Sequence, residues 1–276
     1  MAAYGVVDYG QYLAPESPSN LFLPANGNLL QVLYAVYTFG SLFALALTYD
    51  AISYEKQTNS LALLASQPIS RASLLKGKLL GRSAVYLPIA SVLPVSLIAA
   101  SLVLNMALTP DLQIRILLVW ALTILFLLFW LALGILISSK TSKTGDSLAI
   151  CIAIWIVFQP NFLGSAFSSL ALHFFWPNVS FGGAFNTPSF LSTDSLFGSL
   201  FPPYRYVHAL FGTLNGVSLP TTSLTYLTYG TNYVLNTATT ANGWFLSAWP
   251  DFAFLAMSVL FVLAISYVLF RRSEIV

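Results

Sequence analysis

Charged side chains are scarce in this sequence. Asp, Glu, Lys and Arg make up 7% of its 276 residues, against about 25% in soluble domains. That shortage excludes an ordinary soluble globular domain. The 57% share of hydrophobic residues points to a polytopic membrane protein. The formal net charge of +2 is too small to support a nucleic-acid partner. A single cysteine, Cys151, lies in an apolar run, so no disulfide can form within the chain. Residues 1–28 hold no Lys or Arg and no compact apolar stretch of the kind a secretory signal uses.

Catalytic signatures are missing as well. The stretch "LKGKLLGRS" lacks the glycine spacing of a phosphate-binding P-loop, so the chain supplies no ATPase of its own. Neither His-Glu-x-x-His nor Gly-x-Ser-x-Gly occurs. His173 and His208 are single and fall in the same outer region, which favours surface or interfacial roles over a metal site. No carboxylate occupies the middle of an apolar run, where an ion- or proton-coupled transporter needs one.

What is present is a set of long apolar runs. Five qualify as membrane spans: 29–49, 83–108, 114–137, 148–170 and 250–270. Helix is the expected form, because a segment in lipid must satisfy its own backbone. The runs do not alternate with period two, which speaks against a barrel. The expected fold is therefore an all-α helical bundle of five spans. Lys56, Arg71, Lys76, Lys78, Arg82, Lys140, Lys143, Arg271 and Arg272 gather on one side, against Arg115 and Arg205 on the other. That asymmetry makes the first group cytoplasmic, with the N-terminus outside and the C-terminus inside. Asp111 and Arg115, four apart, read as a local ion pair at the outer end of the third span.

The chain divides accordingly into an outer tail (1–28), four spans (29–170) with a cytoplasmic segment (50–82), an outer region (171–249), and a last span with its tail (250–276). In the outer region, "TSLTYLTYGTNYVLNTATT" alternates around Gly230 and reads as a β-hairpin. "FPPYRYVHALFGTLNG" reads as a loop entering a short helix that stops near Gly216. Pro88 and Pro94 should kink the second span, and Pro160 should bend or break the fourth.

The cytoplasmic segment concentrates the charge. A helix continues from the first span through Asp50, Tyr54 and Glu55, and Asn59 ends it as a left-handed cap. "SLALLAS" then makes about two turns with Leu61, Leu64 and Ala65 on one face. Gln67-Pro68 stops them, and Ser70 caps a new helix into the second span. Arg71, Lys78 and Arg82 share a stripe of that helix. Contact with lipid phosphates is the simplest reading of these basic residues. The lone apolar turns instead call for a partner surface or the membrane interface.

"EKQTNSLALLASQPISRASLLKGK" resembles the cytoplasmic segment of ABC type-2 transporter permeases. Glu55, Leu61, Leu63, Leu64, Pro68, Ser70, Arg71, Gly77 and Lys78 fall where the family pattern has them, and Asn59 stands where the family has Gly. "LALGILISSKTSKTGDSLAI" resembles a later cytoplasmic turn of the same family, and "FPPYRYVHALFGTLNG" its outer segment before the last span. The resemblance implies a permease paired with a second permease copy and with separate ATPase subunits that bind ATP and Mg. No cofactor is expected in this chain. It also implies export, with residues 59–66 as the coupling helix and Glu55, Asn59, Leu61, Leu63, Leu64, Pro68, Ser70, Arg71 and Lys78 as the coupling site. Such permeases usually have six spans and a cytoplasmic N-terminus. Residues 1–28 look like the loop that would follow a first span. A start upstream of Met1, loss of that span, or its supply by another subunit would each account for this. A membrane anchor without transport and a passive channel are the alternatives of different class.

Overall fold

The computed structural model describes residues 35–60, 71–103, 109–158, 170, 173–175, 198–215 and 241–272. Among them every regular element is helical. The main helices are α1 (Val36–Ala46), α2 (Ser53–Gln57), α3 (Arg71–Ala90), α4 (Val92–Val103), α5 (Pro110–Lys140), α6 (Thr144–Val157), α7 (Pro202–Asn215) and α8 (Ala241–Arg272). Among the described residues two segments are long and apolar enough to cross a membrane, Gln113–Lys140 and Ala248–Phe270. α1 and α6 are shorter apolar helices. The β-hairpin expected around Gly230 lies outside the described residues.

α5 is the centre of the bundle, and α1, α3, α7 and α8 all pack against it. Its 31 residues extend about 46 Å at ~1.5 Å per residue. Leu122, Phe126, Trp130, Leu131 and Ile135 are fully buried along it. The Phe126 ring stacks on Tyr206 of α7 at 4.2 Å and on Tyr37 of α1 at 5.3 Å. α1 comes close because position 134 is glycine. A methyl there would meet Thr48 Oγ1 at 1.9 Å.

α1 opens with a π-helical turn, Val36–Gly40. Such a turn displaces carbonyls from the regular ladder, and neighbouring side chains take up several of them. Trp155 Nε1 donates to the Thr38 carbonyl at 3.1 Å, and the Tyr86 hydroxyl donates to that of Gly40. The helix does not continue unbroken through Asp50, as the sequence led one to expect. It gives way to a turn over 47–52 before α2. Ser138 of α5 explains the break: its Oγ accepts the N–H groups of Ile52 and Ser53 at 2.9 and 3.0 Å. Those first-turn amides are thus satisfied from another helix rather than by helical continuation.

The second span breaks at Ser91, between the two prolines named from sequence. Neither Pro88 nor Pro94 can donate to the carbonyl four residues back. The Ser91 hydroxyl and amide both donate to Leu87 O, at 2.9 and 3.0 Å. α6 ends at Val157; Pro160 lies outside the described residues.

Two further departures from expectation involve α8 and α7. The last helix begins at Ala241, well before the span boundary at 250, and carries Pro250 within it. Asp111 Oδ1 accepts the Ala241 N–H at 2.6 Å and so caps this helix from α5. Asp111 also pairs with Arg115 at 2.7 Å, the local pair expected from the spacing. Desolvation pushes the Asp111 carboxyl up, but the Ala241 amide and Arg115 outweigh it and hold it below its ordinary value. Its contribution is therefore present above the ordinary carboxylate pKa and lost as pH falls through the lowered one.

The second departure is α7. It ends at Asn215, as the sequence indicated, yet it does not stand clear as an outer loop. Tyr206 is fully buried, and its hydroxyl lies 3.1 Å from Thr123 Oγ1 of α5. Asp251 of α8, 2% exposed, locks the helix in place. It takes Arg205 on one oxygen at 2.9 Å and His208 Nδ1 on the other at 2.8 Å. Arg205 also lies 5.1 Å from the Phe254 ring and donates to Ser199 O at 2.8 Å.

Candidate functional site

The two motifs that the sequence assigns to the cytoplasmic side are far apart in the chain and meet in space. α2 and the turn before it lie against the ends of α5 and α6. Three polar joints hold α2. Ser138 caps the start of α2, as described above. Lys56 Nζ donates to the Ser139 carbonyl. Gln57 Oε1 accepts from both the amide and the hydroxyl of Thr144, at 3.1 and 2.9 Å. Burial, and then the nearby Lys140 charge, lower the Lys56 ammonium pKa from its ordinary value.

α3 closes the other side. Lys78 Nζ pairs with Glu55 Oε1 at 2.5 Å and also donates to the Ala51 carbonyl. Arg82 pairs with Asp50 at 2.9 Å. The lipid-phosphate reading of the basic stripe therefore gives way for Lys78 and Arg82. Both turn inward to carboxylates on the arm leaving α1. Spacing of 4 puts Lys78 and Arg82 on one face of α3, and Asp50 and Glu55 lie within their reach.

Asn59 has φ of 55°, the left-handed conformation expected from its place in the sequence. Asn and Gly tolerate that region better than other residues. The chain thus turns away from α2 at Asn59. Ser60 Oγ lies 2.9 Å from Thr58 Oγ1 beside the turn.

Of the residues singled out from sequence, the structure brings Glu55 and Lys78 together and gives Asn59 its left-handed turn. Leu61, Leu63, Leu64, Pro68 and Ser70, and the Arg71 side chain, lie outside the described residues. Gln57, Ser138 and Asp50 were not singled out. Ser138-Ser139 did carry a signal, a polar pair at the end of a long apolar run. Among the described residues no group of three or more His, Cys, Asp or Glu side chains is placed to hold a metal ion.

The described residues thus form a bundle of apolar helices with the α2 arm braced against α3, α5 and α6. The profile of the family described as ABC-2 family transporter protein matches residues 1–275. The chain belongs to that family, whose members are the permease subunits of ABC transporters. It is also 31% identical over 122 residues to the "Probable ABC transporter permease protein NosY" of Pseudomonas aeruginosa. That stretch covers 42% of this chain and 43% of that protein, so the likeness spans less than half the length of the relative.

Proposed function

We propose that this chain, with a second permease copy or homologue, forms the translocation path of an ABC exporter in the cell membrane. Separate ATPase subunits, which carry the ATP and Mg, drive it through a coupling helix at 59–66. Five spans cross the membrane, with the N-terminus outside and the C-terminus cytoplasmic. Glu55, Asn59, Leu61, Leu63, Leu64, Pro68, Ser70, Arg71 and Lys78 make up the coupling site in this reading.

The observation that supports it most is the braced arm ending in a left-handed Asn59. An isolated loop needs no such bracing. A lever that must pass force to helices does. Glu55–Lys78 holds the arm to α3, Lys56–Ser139 holds it to α5, and Gln57–Thr144 holds it to α6. Leu61, Leu63 and Leu64 come directly after this frame and supply the apolar contact that an ATPase groove would cover.

Thiol labelling tests this arrangement. Cys151 is replaced by Ser, and one cysteine is placed either within 1–28 or at Ser66. On intact cells an impermeant reagent is expected to react with the first and not the second. In inside-out vesicles Ser66→Cys is expected to react freely when stripped of peripheral proteins and to be shielded when the ATPase is bound. The opposite sidedness would overturn the topology. Equal reactivity with and without bound ATPase would remove 59–66 from the contact.

A further inference from the structure

Gln57 ties the cytoplasmic arm to α6. It is the last residue of α2, and its Oε1 accepts two hydrogen bonds from Thr144, the first residue of α6. Lys143, just before, is extended and gives the helix no side-chain cap. First-turn amides have no partner within their own helix. Gln57 therefore caps α6 from 87 positions away, a task usually left to a local Ser, Thr, Asp or Asn.

The rest of α6 shows what this cap adds. Thr144, Ser147, Cys151, Trp155 and Phe158 recur every three or four residues and form one face. That face is bonded along α1 and the turn after it. The Ser147 hydroxyl donates to Tyr49 O at 2.5 Å, Trp155 Nε1 lies 3.0 Å from Ser41 Oγ, and the Tyr37 hydroxyl donates to Phe158 O at 3.0 Å. Tyr37 and Ser41 lie in α1, and Tyr49 lies within the 47–52 turn. Gln57 reaches α6 from beyond it, two positions before the chain turns at Asn59. A displacement of α2 relative to α1 would pass to α6 through Gln57.

We infer that Gln57 is a positioning residue for coupling, making α6 follow α2 when the segment beyond Asn59 is moved. This rests on the proposed function. Gln57 is exposed, so water readily replaces its bonds and folding depends little on them. A purely structural role and a transmitting role are thereby separable.

The test uses the full chain in complex with its ATPase, with Cys151→Ser and spin labels on cysteines replacing Ile114 of α5 and Ile150 of α6. Both positions are exposed, at 40% and 42%. The inter-label distance is compared without nucleotide and with ATP plus vanadate. Gln57→Ala is expected to lose the nucleotide-dependent shift while ATPase capture and thermal midpoint stay at the parent value. Gln57→Glu is expected to keep the shift, since a carboxylate accepts both bonds and suits a helix N-terminus. Gln57→Asn, one methylene short, should behave like Gln57→Ala. A full shift in Gln57→Ala overturns the inference, as does loss of ATPase capture or early melting in that variant. A parent protein that captures no ATPase, or shows no shift, removes the proposed function and this inference with it. A parent that shifts, beside a Gln57→Ala that also shifts, removes this inference alone.

Discussion

Leu64→Asp is expected to weaken capture of the ATPase by a hundredfold or more. Leu61 and Leu64 are three apart, so on the short helix expected from the sequence they share one face. Placing a carboxylate in an apolar contact leaves it desolvated and unpaired, at a cost of several kcal/mol. Each ~1.4 kcal/mol is a factor of ten in affinity, so even a modest penalty reaches the hundredfold level. Arg71→Ala should do far less at that interface, because the sequence places Arg71 on a solvated stripe and an exposed charge is worth about 0–1 kcal/mol. Lys78 differs in kind, since its partner is Glu55 within the chain. Its removal should loosen the arm rather than the docking surface. Pull-down of the ATPase and ATP hydrolysis in reconstituted complexes measure these effects. Leu64→Asp protein that reaches the membrane at normal levels and still supports full hydrolysis would show that 59–66 is not the coupling element.

Asp251→Ala is expected to cost about 3 kcal/mol or more, the range seen when one partner of a buried ion pair is removed. Asp251 is almost wholly buried and serves both Arg205 and His208. Without it the Arg205 guanidinium loses its counter-charge. Arg205 keeps some exposure, 26% of its side chain, which places the cost near the lower end of that range. α7 should then come away from α8, and the stack of Tyr206 on Phe126 should loosen with it. Thermal unfolding in mild detergent gives the size. The double variant Asp251→Leu with Arg205→Met is expected to recover most of the loss, because a neutral apolar pair carries no desolvated charge. A double variant less stable than Asp251→Ala would show that the lock acts through something other than charge pairing.

Local features were the ones legible in the sequence. Asn59 was readable as a left-handed cap because few residues tolerate that backbone. The break near Pro88 and Pro94 was readable because proline cannot donate to the helical ladder. The end of α7 near Gly216 and the Asp111–Arg115 pair depend on neighbours in the chain. Contacts between distant segments were not readable. Nothing in "EKQTNS" says that Gln57 caps a helix starting at Thr144. Nothing near Pro250 says that α8 starts at Ala241, because the cap is Asp111, 130 positions away. Asp251 left a faint trace as a lone carboxylate at the start of the last apolar run. Its partners became visible only once α7 was seen packed into the bundle. The turn at 47–52 was missed for the same reason, since Ser138 of another helix supplies the cap that starts α2 after it.

The central claim is that this permease is driven by a separate ATPase through its cytoplasmic arm. Purification of the full chain in mild detergent, with identification of what accompanies it, tests that most directly. The expected companion is an ATPase carrying a Walker A motif, retained by the wild-type chain and lost from Leu64→Asp. Companions without any ATPase, or ion conductance by the chain in bilayers without nucleotide, would contradict it.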